Sequence, residues 1–146
     1  MSLLMLDLDH FKQVNDRYGH PVGDHVLREV AEAVRRCLRA SDVFGRLGGE
    51  EFAVILPTGD DAGTRVLAER IRTAIERTDM RSDTGQVFHV TVSIGMAVIG
   101  PQLVLTPNEA LHWADKALYQ AKSQGRNRVV VADPWMLNTT IAELPA

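Results

Sequence analysis

Cysteine is nearly absent from this chain: Cys37 is the only one in 146 residues, so no intrachain disulfide can form and a reducing, cytoplasmic setting is expected. A basic excess is missing too. With 16 basic and 19 acidic residues the net charge is −3, which argues against nucleic acid as a partner and leaves phosphate contacts few and local. No run approaches the ~20 apolar residues of a membrane span, and the N-terminus shows no signal-peptide pattern. Aromatic residues make up only 5%, and Trp113 and Trp135 read as packing groups rather than stacking platforms. His10, His20, His25, His89 and His112 show neither a His-Glu-x-x-His pattern nor cysteine partners, which disfavours zinc. What remains is 45% hydrophobic, enough for one globular domain with a real core.

The strongest local signal is Arg46-Leu47-Gly48-Gly49-Glu50-Glu51-Phe52, followed by the apolar run to Leu56. Two glycines between strand-like runs suit a two-residue hairpin whose central positions need positive φ. The adjacent acids are harder to account for, because Glu50 and Glu51 repel each other at the mouth of an apolar strand unless a cation or solvent compensates them. Upstream, an apolar run from Leu3 ends in Asp7-Leu8-Asp9, with both aspartates on one face if the strand persists that far. A lone Asp-Leu-Asp more often answers loop amides or caps a helix. If the two strands are neighbours, however, Asp7 and the hairpin glutamates converge on one or two hard cations, which take oxygen ligands.

The rest of the chain supplies a scaffold. A polar stretch from Asn15 to Asp24 precedes a helix with Val26, Val30, Val34 and Leu38 on one face, then a hairpin of Val43–Arg46 with Phe52–Leu56. A second helix spans roughly Asp61 to Arg77, residues 78–86 read as a polar loop, and 87–99 as one strand in which Gly95 marks a bulge or a close approach. Thr106, Pro107 and Glu109 spell the start of a third helix, Gly125 its left-handed cap, and Arg128 to Ala132 a last strand. Residues 134–146 have weak periodicity and read as a loosely held tail beyond a domain of 1–133. The order β, α, β, β, α, β, α, β fits an antiparallel or mixed sheet with helices largely on one face.

Four separated motifs give these elements a family likeness: Asp7-Leu8-Asp9-His10-Phe11-Lys12 with Asn15-Asp16; Gly19-His20 with Gly23-Asp24; Gly48-Gly49-Glu50-Glu51-Phe52; and Ala114-Asp115 through Tyr119, Lys122, Gly125, Arg126 and Asn127. In this order and spacing, from about Leu3 to Ala132, the chain resembles a GGDEF domain, the diguanylate cyclase family that condenses two GTP into cyclic di-GMP and pyrophosphate. The resemblance implies an α+β, ferredoxin-like palm with a mixed or antiparallel sheet of about five strands and helices packed around it. It implies catalytic and metal roles for Asp7, Glu50 and Glu51, with the Leu8 carbonyl as a further ligand of Mg²⁺ or Mn²⁺. Substrate contacts fall on Asn15 and Asp24 for guanine, on the amides of His10 and Phe11 and on Lys122 and Arg126 for phosphates, and on Gly48 and Gly49 where backbone approaches nucleotide.

Arg39-Ala40-Ser41-Asp42, five residues before Gly48, matches the family's product-inhibition motif, and Arg70 matches a further contact of that site. Considered singly, Lys122 and Arg126 also suit the negative end of a helix, and Arg39 a surface ion pair worth about 0–1 kcal/mol. The implied partners are GTP, cyclic di-GMP, a second GGDEF domain during catalysis, and a sensory or receiver domain in a longer parent, which could be membrane-anchored. The chain lacks the family's preceding Asp-x-Leu-Thr-x-Leu-x-Asn-Arg segment and its helix. A truncated domain is therefore expected, with a guanine pocket short of one wall and apolar surface exposed. A catalytically silent module that binds GTP or cyclic di-GMP is the alternative function, and a cyclase with a different nucleotide product is a third.

Overall fold

The computed structural model describes residues 1–145. In chain order the elements are β1 (Ser2–Leu8), α1 (Phe11–Tyr18), α2 (His20–Cys37), β2 (Val43–Gly48), β3 (Glu51–Leu56), α3 (Asp61–Arg77), β4 (Met80–Arg81), β5 (Val87–Phe88), β6 (Val92–Val98), α4 (Pro107–Ser123) and β7 (Val129–Val131). Five strands form one sheet in the order β2-β3-β1-β6-β7, and β4 with β5 forms a separate ribbon. Pairing is antiparallel except between β6 and β7, which run parallel because α4 carries the chain back across the sheet. This is the expected five-stranded mixed palm.

Period-two alternation divides the core into two layers. Leu4, Leu6 and Leu8 of β1 pack with Val54 and Ile94 against Val26, Val30 and Val34 of α2 and Ile71 and Ile75 of α3. On the other face Leu3, Met5 and Ala97 meet Ala114, Ala117 and Leu118 of α4. All seven residues of β1 are buried, as a central strand covered on both sides requires. Helices therefore cover both faces rather than largely one, since the alanine-rich stripe of α4 has its own side of the sheet. Gly95 lets α4 come close: a Cβ there would lie 2.2 Å from the Ala114 carbonyl oxygen and 2.3 Å from the Leu118 nitrogen. The edge strand β2 is less covered, leaving Val43 55% and Leu47 51% exposed.

Several boundaries differ from those the sequence suggests. The polar stretch before α2 is itself helical, broken only at Gly19 (φ 91°), and Pro21 is tolerated because it sits in the first turn of α2. The predicted strand over 87–99 is two strands: β5 pairs with β4, inside the expected loop, before the chain enters the main sheet as β6. The tail is not loose. Met136 and Leu144 are buried, Trp113 Nε1 donates to the Asp133 carbonyl at 3.0 Å, and the buried Lys116 Nζ donates to the Met136 and Leu137 carbonyls. A lysine on a buried helix face hides this docking from a periodicity argument. Ala146, the last residue of the predicted tail, lies outside the described residues.

Candidate active site

The end of β1 and the β2–β3 tip lie side by side. Asp7 is the cross-strand partner of Glu51, and the Leu8 N–H donates to the Glu50 carbonyl at 3.2 Å. In a strand, N–H and C=O of one residue point to the same side, so the Leu8 carbonyl also faces the tip. The turn sits one residue later than the two glycines suggest. The register reaches Gly48 opposite Glu51, so Gly49 and Glu50 are its central residues, and a bulge between Arg46 and Gly48 absorbs Leu47. Gly48 and Gly49 have φ of 151° and 51°, and space above both is open. Arg46 Nε braces the tip by donating to the Gly49 carbonyl at 2.8 Å.

Asp7 shares the sheet face of Leu3 and Met5, which is the face of α4. The last turn of α4 answers it with Lys122, whose Nζ lies 2.5 Å from Asp7 Oδ2. Burial pushes the Asp7 carboxyl above its ordinary value, reinforced by Glu50 and Asp9, and outweighs the opposing pull of Lys122. Glu51 is raised as well, by burial first and then by repulsion from Asp7 and Asp115, with Lys122 opposing. The site is thus an excess of carboxylates around one ammonium. Its donors are all hard oxygens, which fit Mg²⁺ or Mn²⁺ by chemistry. Among the described residues no group of three acidic, histidine or cysteine side chains stands close enough together to hold a metal ion, and Asp7 is paired with Lys122.

Asp9 parts company with Asp7. It is 6% exposed and accepts from Thr91 Oγ1 at 2.7 Å, Ser93 Oγ at 2.6 Å and the Asn127 N–H at 3.0 Å, so its oxygens are committed within the fold. His10 adopts φ 56° at the N-cap of α1, so the first amides of that helix, which have no intrahelical partner, follow directly on Asp7-Leu8-Asp9 in the chain. Asn15 lies against α2 so closely that a Cβ on Gly23, the residue before Asp24, would be 1.8 Å from its Oδ1. Asp24 lines an open cavity of about 700 Å³ with Leu27, Arg28, Arg46 and Phe52. Arg126 is exposed and has no ion-pair partner among the described residues.

Arg39, Asp42 and Arg70 gather elsewhere, around a cavity of about 460 Å³ between α3 and the approach to β2. Among the described residues they form no surface ion pair. Asp42 Oδ2 accepts the Arg39 backbone N–H at 2.8 Å while its own N–H donates to the Arg39 carbonyl at 3.0 Å, pinning the turn and leaving both guanidinium groups uncommitted among the described residues. Asp115 joins the site without a role foreseen for it, although it stands in one of the four motifs, because its nearness to Glu51 depends on how α4 crosses the sheet. Arg46 was likewise readable only as a strand residue.

Comparison with known proteins places the chain in a family. The family model described as "Diguanylate cyclase, GGDEF domain" matches residues 1–128. The chain is 46% identical over 132 residues to the probable diguanylate cyclase DgcT of Escherichia coli K12, covering 90% of this chain and 29% of that protein. It is 42% identical over 132 residues to diguanylate cyclase A of Treponema denticola, covering 90% and 35%. The chain thus spans about a third of the length of these relatives. Among solved structures, the GGDEF domain of DgcB from Caulobacter crescentus in complex with c-di-GMP superposes with TM-score 0.83 at 36% identity, covering 89% of this chain and 76% of that one. With its palm sheet, its acidic hairpin tip and this match over most of its length, the chain belongs to the GGDEF domain family of diguanylate cyclases.

Proposed function

We propose that the chain is a diguanylate cyclase domain, joining two GTP into cyclic di-GMP and pyrophosphate when two copies face each other. The observation that carries this reading is the β1–β3 register, which sets Asp7 and the Leu8 carbonyl against the Glu50–Glu51 tip. Asn15 and Asp24 hold guanine; an aspartate accepts from the N1 and N2 donors, a pair adenine lacks, so GTP is preferred over ATP. The first amides of α1, at His10 and Phe11, together with Lys122 and Arg126, take the phosphates. Gly48 and Gly49 admit the nucleotide where a side chain would collide.

Asp7, Glu50, Glu51 and the Leu8 carbonyl would hold Mg²⁺ or Mn²⁺, which when bound lowers the repulsion between the incoming oxygen and the phosphate. The 3′-oxygen of one nucleotide bonds to the α-phosphorus of the other, the bond from that phosphorus to the bridging oxygen breaks, and pyrophosphate leaves; the reciprocal displacement closes the ring and releases a second pyrophosphate. The hydroxyl proton passes to a carboxylate of the tip. Because each domain carries one such half-site, homodimerisation completes the reaction, and a sensory or receiver domain in a longer parent governs it.

Arg39, Asp42 and Arg70 form the product-inhibition pocket, their two uncommitted guanidinium groups suiting phosphate and guanine. The separation of this cavity from the acid pair favours one second reading, a module that binds cyclic di-GMP without turnover. Incubating the full-length protein with GTP and Mg²⁺ and identifying the nucleotide products separates the two. Cyclic di-GMP is expected from the parent and none from Glu50→Ala, whose fold is preserved because the tip is not core. Undiminished turnover by Glu50→Ala would remove the assigned role, while bound cyclic di-GMP and no product in verified dimers would establish the silent module.

A further inference from the structure

The turn joining α4 to β7 is held in a conformation that its residues disfavour. Gly125, Arg126 and Asn127 have φ of 126°, 66° and 46° in succession. The left-handed region is unfavourable for any L-residue and least so for Asn, so a run of this kind persists only where its surroundings fix it.

Three sets of bonds do so. The Arg126 N–H donates to the Ala121 carbonyl at 2.9 Å, closing the end of α4. The Asn127 N–H donates to Asp9 Oδ2 at 3.0 Å, and Asp9 is in turn fixed by Thr91 and Ser93. The Asn127 side chain spans to α3, its Oδ1 accepting from Arg72 Nη1 at 3.0 Å and its Nδ2 donating to Glu76 Oε2 at 2.5 Å. Both polar atoms of the Asn127 amide are therefore engaged. Asp9 is two residues from Asp7, and Asn127 is adjacent to Arg126. The bond between them ties the strand end bearing the acid to the turn bearing the cation.

We propose that Asp9 and Asn127 are positioning residues that fix Arg126, and with it the last turn of α4 and Lys122, in register with Asp7 for recognition of a nucleotide's β- and γ-phosphates. This rests on the phosphate role proposed for Lys122 and Arg126. Without the clamp the turn relaxes toward negative φ and swings the Arg126 side chain away, while Asn15 and Asp24, on α1 and α2, keep their hold on guanine. The distinguishing signature is a selective loss at the phosphate end of the ligand.

The test is equilibrium binding to the full chain of a non-hydrolysable GTP analogue and of GMP, for the parent and for Asp9→Asn, Asn127→Gly and Arg126→Ala, with thermal unfolding of each. Asn127→Gly keeps the backbone N–H and tolerates the φ, so it reports the side-chain bridge even if Asp9→Asn fails to fold. The expected result is about a tenfold weaker grip on the triphosphate in both clamp variants, with GMP affinity changed less than about twofold. Equal losses for both ligands would make the role merely structural and overturn the proposal. So would an unchanged triphosphate affinity in the clamp variants while Arg126→Ala loses it. If Arg126→Ala itself leaves the preference for triphosphate over GMP intact, the phosphate reading falls, and the positioning role falls with it.

Discussion

Gly95→Ala should destabilise the protein far more than adding one methyl ordinarily does. The new Cβ would sit 2.2 Å from the Ala114 carbonyl oxygen, 2.3 Å from the Leu118 nitrogen and 2.8 Å from the Leu118 Cα. All three are backbone atoms of α4, so no rotamer change relieves the clash, and ordinary contact, from 3.4 Å, begins more than 1 Å beyond the two closest of them. Overpacking of this kind costs about 1–3 kcal/mol, and contact with rigid backbone places it at the upper end. Stiffening of the unfolded chain returns only about 0.4–1 kcal/mol, so a net loss of about 2–3 kcal/mol remains. At about 4 °C per kcal/mol, the melting midpoint should fall by roughly 10 °C. Circular dichroism through thermal and urea unfolding measures both. A midpoint within about 2 °C of the parent would show that α4 does not rest on β6 as described. Any lift of α4 also moves Lys122 from Asp7, so nucleotide binding should weaken at temperatures where the variant is still folded.

Glu51→Gln should stabilise the metal-free protein at neutral pH. Folding raises the Glu51 carboxyl above its ordinary 4.5, so the fold favours the protonated form, and the parent loses stability as pH rises through the raised value. The advantage of the variant should therefore be present at about pH 8 and vanish below about pH 4; melting midpoints in chelator that place the variant below the parent at the higher pH would refute this. Lys116→Met should loosen the tail, because the Met136 and Leu137 carbonyls lose their buried donor at a cost of about 1–3 kcal/mol. Limited proteolysis within 134–145 should quicken about tenfold while the rest of the chain resists; an unchanged rate would remove Lys116 as the anchor.

What the sequence discloses is what local chemistry decides. The Thr106–Glu109 capping box is present as read, with the Glu109 N–H donating to Thr106 Oγ1 at 3.2 Å and the Thr106 N–H donating to Glu109 Oε2 at 2.8 Å. Gly95 as a point of close approach was also legible, because an isolated glycine inside an apolar strand marks either a bulge or a neighbouring backbone. The neighbouring of β1 and β3 was only a condition in the sequence, since strand order is a long-range outcome. Asp9 shows the limit most clearly. Beside Asp7 in sequence it looks equivalent, yet its carboxylate is taken up by Thr91, Ser93 and Asn127, more than 80 residues away along the chain. The β4–β5 ribbon was hidden because two-residue strands carry no period to read.

Lys122 and Asp7 are separated by 115 residues, and Asn127 and Asp9 by 118. Contacts of such span close long loops, whose entropy each bond must offset. Along this domain the acidic strand end precedes its cation, so a fragment that stops before α4 holds a cluster of negative charge without Lys122 to relieve it. A palm broken off before α4 therefore leaves Asp7 without its ammonium and Asp9 without the Asn127 N–H.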